Sequence, residues 1–530
     1  MAPAATVYHP ATTMSVIMGA IMGVSDATAP PVSALAPVAS ALPAAEAERF
    51  DRAFARATGA ALTERNSVRL LLDARENFPA WLDAIRAAQR YVLFESYIIA
   101  DDRVGREFVV ALVAKAREGV RVCVVYDWLG STKWRAPWAE LHAAGAEVHC
   151  FNPPSFGSPF AWLARDHRKS IVVDGEIGFV SGLCVNDAWM GNPAKRLEPW
   201  RDTGVEIRGP ALIDIENAFA QVWSALDAAP LVFERPATAA AAGHVRVRVI
   251  AGVPNAAGTY RTDLLVASLA RRHLWLSDAY FVATAAYTQA LRAAARDGVD
   301  VRLLVPGASD VPAVSLLSRI GYRPLLEAGV RVFEWNGTMM HAKTAVADRL
   351  WSRVGSTNLN VASWMTNYEL DVAIEDPAFA DTMAAQYERD LAYATEIVLT
   401  PRKSVRKKEP RPAPEGDAAG VRRAMAGSAG RAAAGAVSVG SALGAALTNR
   451  RTLGPTEGGP LATVAVVTIG IAIVAAFFPR VLAWPIAFLA GWLGIAWAWK
   501  AWTLWRRRAS TEPVREAERP VAPPSGEPRA

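Results

Sequence analysis

The sequence has little cysteine for its length. Its 530 residues include only three cysteines, which are far apart and form no Cys-x-x-Cys motif or Cys/His cluster: Cys123, Cys150 and Cys184. An odd number of cysteines at such spacings indicates neither a disulfide framework nor a structural zinc site. The sequence therefore predicts a reducing compartment for the bulk of the chain.

Residues before 401 carry a slight excess of negative charge. Residues 401–530 hold 19 Lys and Arg against 8 Asp and Glu, a net charge of +11, which leaves −5 for residues 1–400 out of the total of +6. Nucleic-acid binding relies on many Lys and Arg that neutralise phosphates. We therefore expect no nucleic-acid partner, and a nuclease is the less favoured enzyme class.

The N-terminal segment 1–47 has no Lys or Arg at all and is rich in Ala, Pro, Ser and Thr. Its one mildly apolar run, MSVIMGAIMGV (14–24), lacks the positive flank of a signal peptide. This composition predicts a disordered segment, with a cleaved signal as the alternative.

What the chain does contain is an internal repeat of α/β character. An amphipathic stretch (81–90), a strand (91–99), a helix (105–118) and a strand (120–126) form one series, and LWLSDAY (274–280), a helix (286–297) and GVDVRLLVP (298–306) form a matching one. Apolar strands alternating with helices predict a buried, largely parallel sheet. The repeat indicates two homologous α/β halves, 48–232 and 243–400.

The region after residue 400 changes character. A basic flexible linker (401–460) is predicted to precede two uncharged apolar segments, Leu461–Phe478 and Val481–Trp499, and a basic, Pro-rich tail (500–530) follows. At 1.5 Å per residue each segment spans about 27–29 Å, close to the thickness of a bilayer core. Tryptophans near an Arg cluster support a transmembrane helical hairpin (461–499) over a buried helical pair: Trp484, Trp492, Trp497, Trp499, Trp502 and Trp505. Basic clusters on both outer flanks predict a multi-pass inner-membrane protein with a cytoplasmic catalytic region, whose basic residues favour anionic lipid headgroups.

The chemistry-bearing feature is a motif, His-x-Lys-x-x-x-x-Asp, that occurs once in each half. The two copies are His167/Lys169/Asp174 and His341/Lys343/Asp348. Strand alternation places His and Lys on one face. Before residue 401 there are five lysines, Lys115, Lys133, Lys169, Lys195 and Lys343, so two of them at the same place in the same motif argue against ordinary buried histidines beside a coincidental lysine.

This pair of motifs suits a phosphodiester. One imidazole can attack phosphorus, the other can protonate the leaving alcohol, and two ammonium groups can neutralise the charge on the equatorial oxygens. A metal site is not predicted, because Lys is not a ligand and neither motif offers further correctly spaced ligands. No cofactor is expected. Two half-sites thus predict one active site.

The chain resembles the phospholipase D superfamily, and among its branches most closely the bacterial cardiolipin synthases. The resemblance spans about residues 66–400 and is carried by FESYIIADDRVGREF, VVYDWLGS, DHRKSIVVDGEIGFVSG, WRDTGVEIRGPA, MHAKTAVAD, GSTN and NYELDVAI. It implies an α/β fold of two pseudo-symmetric α-β-α halves that share one active site. Here that fold is combined with the C-terminal hairpin, whereas the cardiolipin synthases that this chain resembles carry their membrane segments before the catalytic halves.

The resemblance also implies roles for individual residues. His167 would be the nucleophile that forms a phosphohistidine and His341 the acid and base, although these roles could be reversed. Lys169, Lys343 and Asn358 would bind phosphate, and the carboxylates Asp202 and Glu369 would orient His167 and His341, respectively. Asp174 and Asp348 are predicted to be structural supports rather than proton carriers.

The chain departs from the family pattern at one site position. The counterpart of Asn358, counted from each His, is Cys184, whose thiol is a weaker hydrogen-bond donor. Either Cys184 is a small buried residue without a catalytic role, with Asn186 supplying the amide, or the thiol itself contributes. Two further carboxylates, Glu95 and Asp278, stand at the ends of the repeated strands and are candidates for lining the site or for solvated or helix-capping positions.

The resemblance implies phosphatidyl transfer between phospholipids, such as two phosphatidylglycerols giving cardiolipin and glycerol. The expected partners are an anionic glycerophospholipid substrate and the lipid bilayer. Hydrolysis to phosphatidic acid is the alternative, since the sequence does not distinguish water from an alcohol acceptor. A non-enzymatic membrane scaffold is disfavoured by the complete motifs in both halves. The sequence indicates no oligomeric state.

Overall fold

The computed structural model describes most of the region in which the repeat lies. The described residues are 44–132, 138–154, 163–226, 228–229, 231, 240–399, 405–407, 477, 483–484, 487–488, 490–492, 494–499 and 501–502. The chain forms two compact units, Met1–Glu48 and Arg49–Ala530. Of the first unit, residues 44–48 are described and are helical, so the predicted disordered segment lies almost entirely outside the described residues. Both halves of the repeat lie in the second unit.

The first half contains seven strands and seven described helices. The strands are β1 (Thr63–Leu72), β2 (Tyr91–Ser96), β3 (Arg121–Asp127), β4 (Glu147–Phe151), β5 (Lys169–Val173), β6 (Ile177–Ser181) and β7 (Thr203–Arg208). The helices are α1 (Ala44–Thr58), α2 (Asp73–Ala87), α3 (Arg103–Arg117), α4 (Trp128–Ser131), α5 (Trp138–Ala143), α6 (Asp187–Met190) and α7 (Leu212–Ser224).

The second half repeats this order. Its strands are β8 (Val245–Gly252), β9 (His273–Ser277), β10 (Asp300–Pro306), β11 (Arg331–Trp335), β12 (Thr344–Ala347), β13 (Trp351–Gly355), β14 (Glu369–Glu375), β15 (Ala394–Leu399) and β16 (Val405–Lys407). Its described helices are α8 (Gly258–Leu269), α9 (Ala285–Arg296), α10 (Pro312–Glu327), α11 (Val361–Met365) and α12 (Pro377–Ala392).

The described strands form one mixed sheet in which the two halves are related by a pseudo-twofold arrangement. From the centre outward the first half runs β1-β7-β6-β5-β2-β3-β4, and the second runs β8-β14-β13-β12-β9-β10-β11 with β15 and β16 added at its edge. The strands β1 and β8 are antiparallel neighbours at the centre, where Thr63 lies opposite Val247. Both motif strands, β5 and β12, therefore occupy the same place in their halves.

Helices cover both faces of this sheet, which explains why its inner strands are largely buried. All residues of β2 and β5 are buried. One face of the first half packs against α2 and α3, and a second core of residues from both halves includes α7 and α12. A sheet buried on both faces has no solvent side and shows no polar alternation.

The elements predicted from the repeat are confirmed, with shifted ends. The strands at 91–99 and 120–126 correspond to β2 and β3, and the helices at 105–118 and 286–297 correspond to α3 and α9. The stretch 81–90 is the second part of α2, which begins eight residues earlier at Asp73 and contains Pro79. The prediction for residues 401–460 differs from the structure at 405–407, because these residues pair with β15 as an edge strand.

The predicted hairpin at 461–499 lies largely outside the described residues. Those described between 477 and 499 are helical. Within the part of the chain that is described, no helix has both the length and the apolar character needed to cross a bilayer.

A tight turn after each motif strand carries the aspartate of the motif. Asp174 and Asp348 have φ angles of 56° and 52°, in the left-handed region that Asp adopts more readily than most residues. The carboxylate of Asp174 accepts hydrogen bonds of 2.7–2.8 Å from the backbone N–H groups of residues 89–91. Asp348 accepts three from residues 271–273 in the same way. Each aspartate thus ties its turn to the segment that leads into β2 or β9.

We predict that Asp174→Ala lowers the free energy of unfolding by about 2–4 kcal/mol, since it leaves three backbone donors without this acceptor and places Ala at a positive φ. Asp174→Asn should cost less, because Asn tolerates this φ and keeps one acceptor oxygen. Urea unfolding followed by tryptophan fluorescence measures both. The control is Asp381→Ala, which removes a 58% exposed partner of Arg349 and should change stability by less than about 0.5 kcal/mol. Equal stability of the two alanine variants would contradict the supporting role of Asp174.

Candidate active site

Each motif histidine lies just before its strand, in a segment that pairs with the other half. The backbone N–H of His167 donates to the carbonyl of Tyr368 at 2.9 Å, and that of His341 donates to the carbonyl of Arg201 at 2.7 Å. Isolated bridges join Asp166 to Tyr368 and Arg201 to Met340. The two halves therefore meet at the histidines themselves.

Each histidine binds a carboxylate from the opposite half. His167 Nδ1 lies 2.9 Å from Glu369 Oε2 and 3.1 Å from Oε1, and His341 Nδ1 lies 2.7 Å from Asp202 Oδ2. Asp202 and Glu369 are thus the histidine-bound carboxylates, but the predicted pairing of Asp202 with His167 and of Glu369 with His341 is wrong. The reason is topological, because the residues before β7 and β14 pair with the histidine segment across the pseudo-twofold axis and not with their own.

The two carboxylates are themselves held by further donors. Glu369 accepts from Ser356 Oγ at 2.6 Å and from Asn367 Nδ2 at 3.1 Å. Asp202 accepts from the indole N–H of Trp189 at 2.9 Å and from the backbone N–H of Thr203 at 2.8 Å. A carboxylate bound in this way fixes both the orientation and the tautomer of its imidazole. With Nδ1 bound to the carboxylate, Nε2 is the ring nitrogen of each histidine that does not contact that carboxylate.

The motif lysines lie beside their histidines, and the ammonium group of each lies over the ring of a tyrosine. Lys343 Nζ is 2.8 Å from His341 Nδ1 and 3.1 Å from Nε2, and each lysine also donates to the backbone carbonyl of its own histidine. The ring of Tyr97 lies edge-on to His167 at 5.0 Å and 5.3 Å from Lys169 Nζ. In the second half the ring of Tyr280 lies edge-on to His341, with the ring centroids 5.8 Å apart, and its centroid is 6.0 Å from Lys343 Nζ. The two lysines thus bring two ammonium groups to the site.

Burial and mutual charge lower the pKa values of the basic groups. Burial lowers the pKa of His167 to about 4 and that of His341 to about 3, against the opposing effect of their carboxylates. Burial also lowers the pKa of Lys343 to about 8. Each of these three groups is influenced by a lysine of the other half, which places both motifs in one electrostatic environment.

The pKa values of the two histidine-bound carboxylates are lowered, whereas those of most buried acids are raised. Burial alone would raise their pKa values, but the charges and hydrogen bonds of their partners outweigh it. His341 and Lys343 hold the pKa of Asp202 at about 2, and His167 and Lys169 hold that of Glu369 below its usual value. Both carboxylates are therefore ionised at neutral pH.

The predicted phosphate-binding amides differ between the halves. Asn358 is 4% exposed, and its Oδ1 has no hydrogen-bond partner among the described residues. Its counterpart Cys184 is 1% exposed, and burial raises the pKa of its thiol against the opposing charge of Lys169. The thiol is therefore neutral.

Asn186 has a capping role. Its Oδ1 accepts from the backbone N–H of Ala188 at 2.6 Å and so caps α6, just as Asn360 Oδ1 accepts from Ser363 at 3.0 Å and caps α11. Asn186 is thus the counterpart of Asn360 and not of Asn358. Any hydrogen bond from Asn186 to a phosphate would have to come from Nδ2, because the amide nitrogen is the donor of this side chain.

Glu95 and Asp278 are not matching residues, although both are buried. In the sheet register Ser96 lies opposite Lys169, so Glu95 points to the other face, where it accepts from Ser170 Oγ at 2.9 Å. Asp278 accepts from the backbone N–H of Leu359 at 2.8 Å, and burial raises its pKa to about 7 against this bond and the charge of Lys343. Neither carboxylate is solvated. Burial raises the pKa of each, and the charge of a motif lysine opposes that rise, Lys169 at Glu95 and Lys343 at Asp278.

Three aromatic residues of the site were missed by reasoning from the sequence. Tyr97 and Tyr280 could have been found, since a tyrosine follows each repeated strand in FESY and SDAY. Trp189 has no such signal, because its position in the second half is Ser363. Its indole can be placed only when α6 is packed in three dimensions.

Comparison with known proteins finds the same family in both halves. The family described as "Cardiolipin synthase, PLD-like domain" matches residues 81–210 and 266–391, and each range contains one motif. Cardiolipin synthase A of Pseudomonas aeruginosa is 34% identical over 361 residues, covering 67% of this chain and 73% of that protein. A cardiolipin synthase of Alkalihalophilus pseudofirmus is 31% identical over 341 residues, covering 63% of this chain and 67% of that one.

A solved structure is similar in fold. The phosphatidylserine synthase of Haemophilus influenzae Rd KW20 superposes with a TM-score of 0.53 at 14% identity and covers 68% of this chain and 92% of that one. At this identity the likeness supports the fold alone. Together with the paired motifs and the family match across both halves, the relatives establish that this chain belongs to the phospholipase D superfamily of enzymes, in the cardiolipin synthase branch.

Proposed function

We propose that this enzyme transfers a phosphatidyl group from one anionic glycerophospholipid to an alcohol through a phosphohistidine, as a cardiolipin synthase does with phosphatidylglycerol. The observation that carries this proposal is the pair of histidines, each bound through Nδ1 to an ionised carboxylate of the other half. Such a pair offers two Nε2 atoms to one phosphodiester, and two lysines offset its charge.

In the first step, His167 Nε2 attacks phosphorus, and the bond from phosphorus to the headgroup oxygen breaks. His341 gives its Nε2 proton to that oxygen, so glycerol leaves as a neutral alcohol. His167 is the better nucleophile of the two because its side chain is 12% exposed against 5% for His341. In addition, His341 Nε2 already lies 3.1 Å from Lys343 Nζ.

The acid step requires a proton on His341, whose pKa is lowered to about 3 by burial and by Lys343. An anionic phosphodiester between the lysines supplies the opposite charge, and a nearby opposite charge favours the protonated imidazole. Substrate binding thus raises the pKa of His341 and favours its protonation, so that it can act as the acid. The ionised Asp202 stabilises the resulting imidazolium.

In the second step, the hydroxyl of the acceptor gives its proton to His341 and attacks phosphorus, and the bond from phosphorus to His167 breaks. Lys169 and Lys343 neutralise the charge on the equatorial oxygens in both steps, with Asn358 donating from the second half. Attack by water instead of an alcohol gives phosphatidic acid, which is the alternative outcome at the same site.

We also propose that residues 461–499 anchor the enzyme in the inner membrane as a hairpin, with the catalytic region in the cytoplasm. The supporting observation is that helical residues of this segment carry large exposed aromatic side chains, with Trp484 71%, Phe488 73% and Trp497 66% exposed. Aromatic side chains of this kind are typical of a membrane interface. The anchor keeps the site at its lipid substrate.

We predict that the purified full-length enzyme in vesicles of phosphatidylglycerol forms cardiolipin and releases glycerol, as measured by lipid mass spectrometry. His167→Ala and His341→Ala should each lower the rate by about 10³-fold or more, since each removes a group used in both steps. His149→Ala is the matched control, because the ring of His149 packs on Trp223 at 4.6 Å, away from the motifs, and should keep most of the activity.

Phosphatidic acid without cardiolipin would replace the transferase with the hydrolase. Undiminished turnover in His167→Ala would refute the site.

Membranes washed with alkaline carbonate should retain both the enzyme and its activity, and release of the enzyme into the wash would refute the hairpin anchor.

We predict a loss of activity as the pH rises through about 8. Lys343 carries its charge below its pKa of about 8 and loses it above, so phosphate binding weakens on the alkaline side only. Lys343→Arg should abolish this alkaline limb, because a guanidinium stays charged, although its shape will lower the maximal rate. Lys115→Arg, which changes a lysine paired with Glu118, is the control. An unchanged limb in Lys343→Arg would rule out Lys343 as its source.

A further inference from the structure

Trp189 contacts both members of the His341–Asp202 pair. Its indole N–H donates to Asp202 Oδ2 at 2.9 Å, and the same oxygen is 2.7 Å from His341 Nδ1. The indole ring also lies edge-on to the imidazole, with the ring centroids 5.0 Å apart and the planes at 87°. At 2% exposure the indole is buried. It can therefore affect the His341–Asp202 pair through its contacts with it, but it does not face a substrate.

The position of the indole is fixed independently of Asp202. The short helix α6 that carries Trp189 is capped by Asn186, and the backbone N–H of Asp187 donates to Asp102 Oδ2 at 2.7 Å. The ring of Trp200 packs against the indole at 4.7 Å. A donor held this firmly can orient the carboxylate that it binds.

The other histidine pair obtains its donor differently, which explains why an indole is needed here. Glu369 accepts from the hydroxyl of Ser356 at 2.6 Å. The residue that corresponds to Ser356 in the first half, at the same distance from its motif histidine, is Gly182. A Cβ atom on Gly182 would lie 2.2 Å from Asp202 Oδ1, so no side-chain hydroxyl fits at that place. The donor has to come from another element, and α6 supplies it.

We propose that Trp189 is a positioning residue for the reaction, acting through Asp202 on the acid and base His341. This inference rests on the proposed function and deepens it. Two donors on one carboxylate oxygen hold that oxygen in the plane of the imidazole and stabilise the charge that Asp202 must keep while His341 takes up and releases a proton. Trp189 thereby donates to Asp202, the histidine-bound carboxylate of the first half, as Ser356 donates to Glu369, that of the second half.

The sharpest test removes the N–H group and keeps the shape. Replacing Trp189 with β-(3-benzothienyl)alanine puts sulfur in place of the indole nitrogen, and Trp189→Phe is the simpler variant. Trp364 offers a matched control, since it is 3% exposed and its N–H donates at 2.9 Å to the buried carboxylate of Asp263. Asp263 pairs with Arg353 at 2.8 Å rather than with a histidine.

In the phosphatidylglycerol assay, both Trp189 replacements should lower kcat by about 10- to 100-fold, the effect of losing one hydrogen bond to a charged group. KM should stay within about twofold, because no substrate contact is lost. The same replacements at Trp364 should leave kcat within about threefold of the wild type. Thermal unfolding of all four variants separates lost activity from lost structure.

Equal losses of kcat at Trp189 and Trp364 would overturn the proposal, as would a rise in KM with kcat unchanged. If Trp189→Phe does not fold, the benzothienyl variant decides, because it preserves the packing. Failure of the proposed function is a separate result, since it would appear as a wild-type enzyme that forms no cardiolipin. If that enzyme forms phosphatidic acid instead, the same comparison is made on hydrolysis.

Discussion

The exchange of carboxylates between the halves is the constraint on which the site depends. His167 is oriented by Glu369 and His341 by Asp202, so neither half contains a complete catalytic pair. The backbone bridges beside each histidine fix the same relation at the level of the main chain. A displacement of one half against the other would therefore disturb both imidazoles at once. This coupling gives a physical reason for the two halves to form one continuous sheet, with β1 and β8 paired at its centre.

The pseudo-twofold symmetry of the fold is broken where the chemistry needs it to be. Both histidines have a bound carboxylate, a lysine and a tyrosine, but Asn358 of the second half corresponds to Cys184 of the first, and the hydroxyl of Ser356 is replaced by the indole of Trp189. In the proposed mechanism the nucleophile and the acid have different tasks and require different surroundings. A tighter and more buried setting suits the histidine that must hold and release a proton, and His341 is the less exposed of the two.

Much of this could be predicted from the sequence, because the decisive signals were local. The repeated motif predicted the four basic residues, and the apolar strands with intervening helices predicted the α/β halves. The role of Asp174 and Asp348 as supports also agrees with the backbone hydrogen bonds that they accept. The pairing of Asp202 and Glu369 was predicted wrongly, since a linear repeat suggests contacts within a half and carries no information on which strands meet across the axis. Trp189 was missed for a related reason, because its contact with Asp202 depends on how α6 packs.

The central claim is that His167, oriented by a carboxylate of the second half, forms the covalent intermediate. The most direct measurement is a rapid base quench of the enzyme with phosphorus-labelled phosphatidylglycerol, followed by mapping of the labelled peptide by mass spectrometry. The account predicts an acid-labile, base-stable adduct on His167 that forms within one turnover and is absent from His167→Ala. Label on His341, or turnover at the full rate without any labelled histidine, would contradict it.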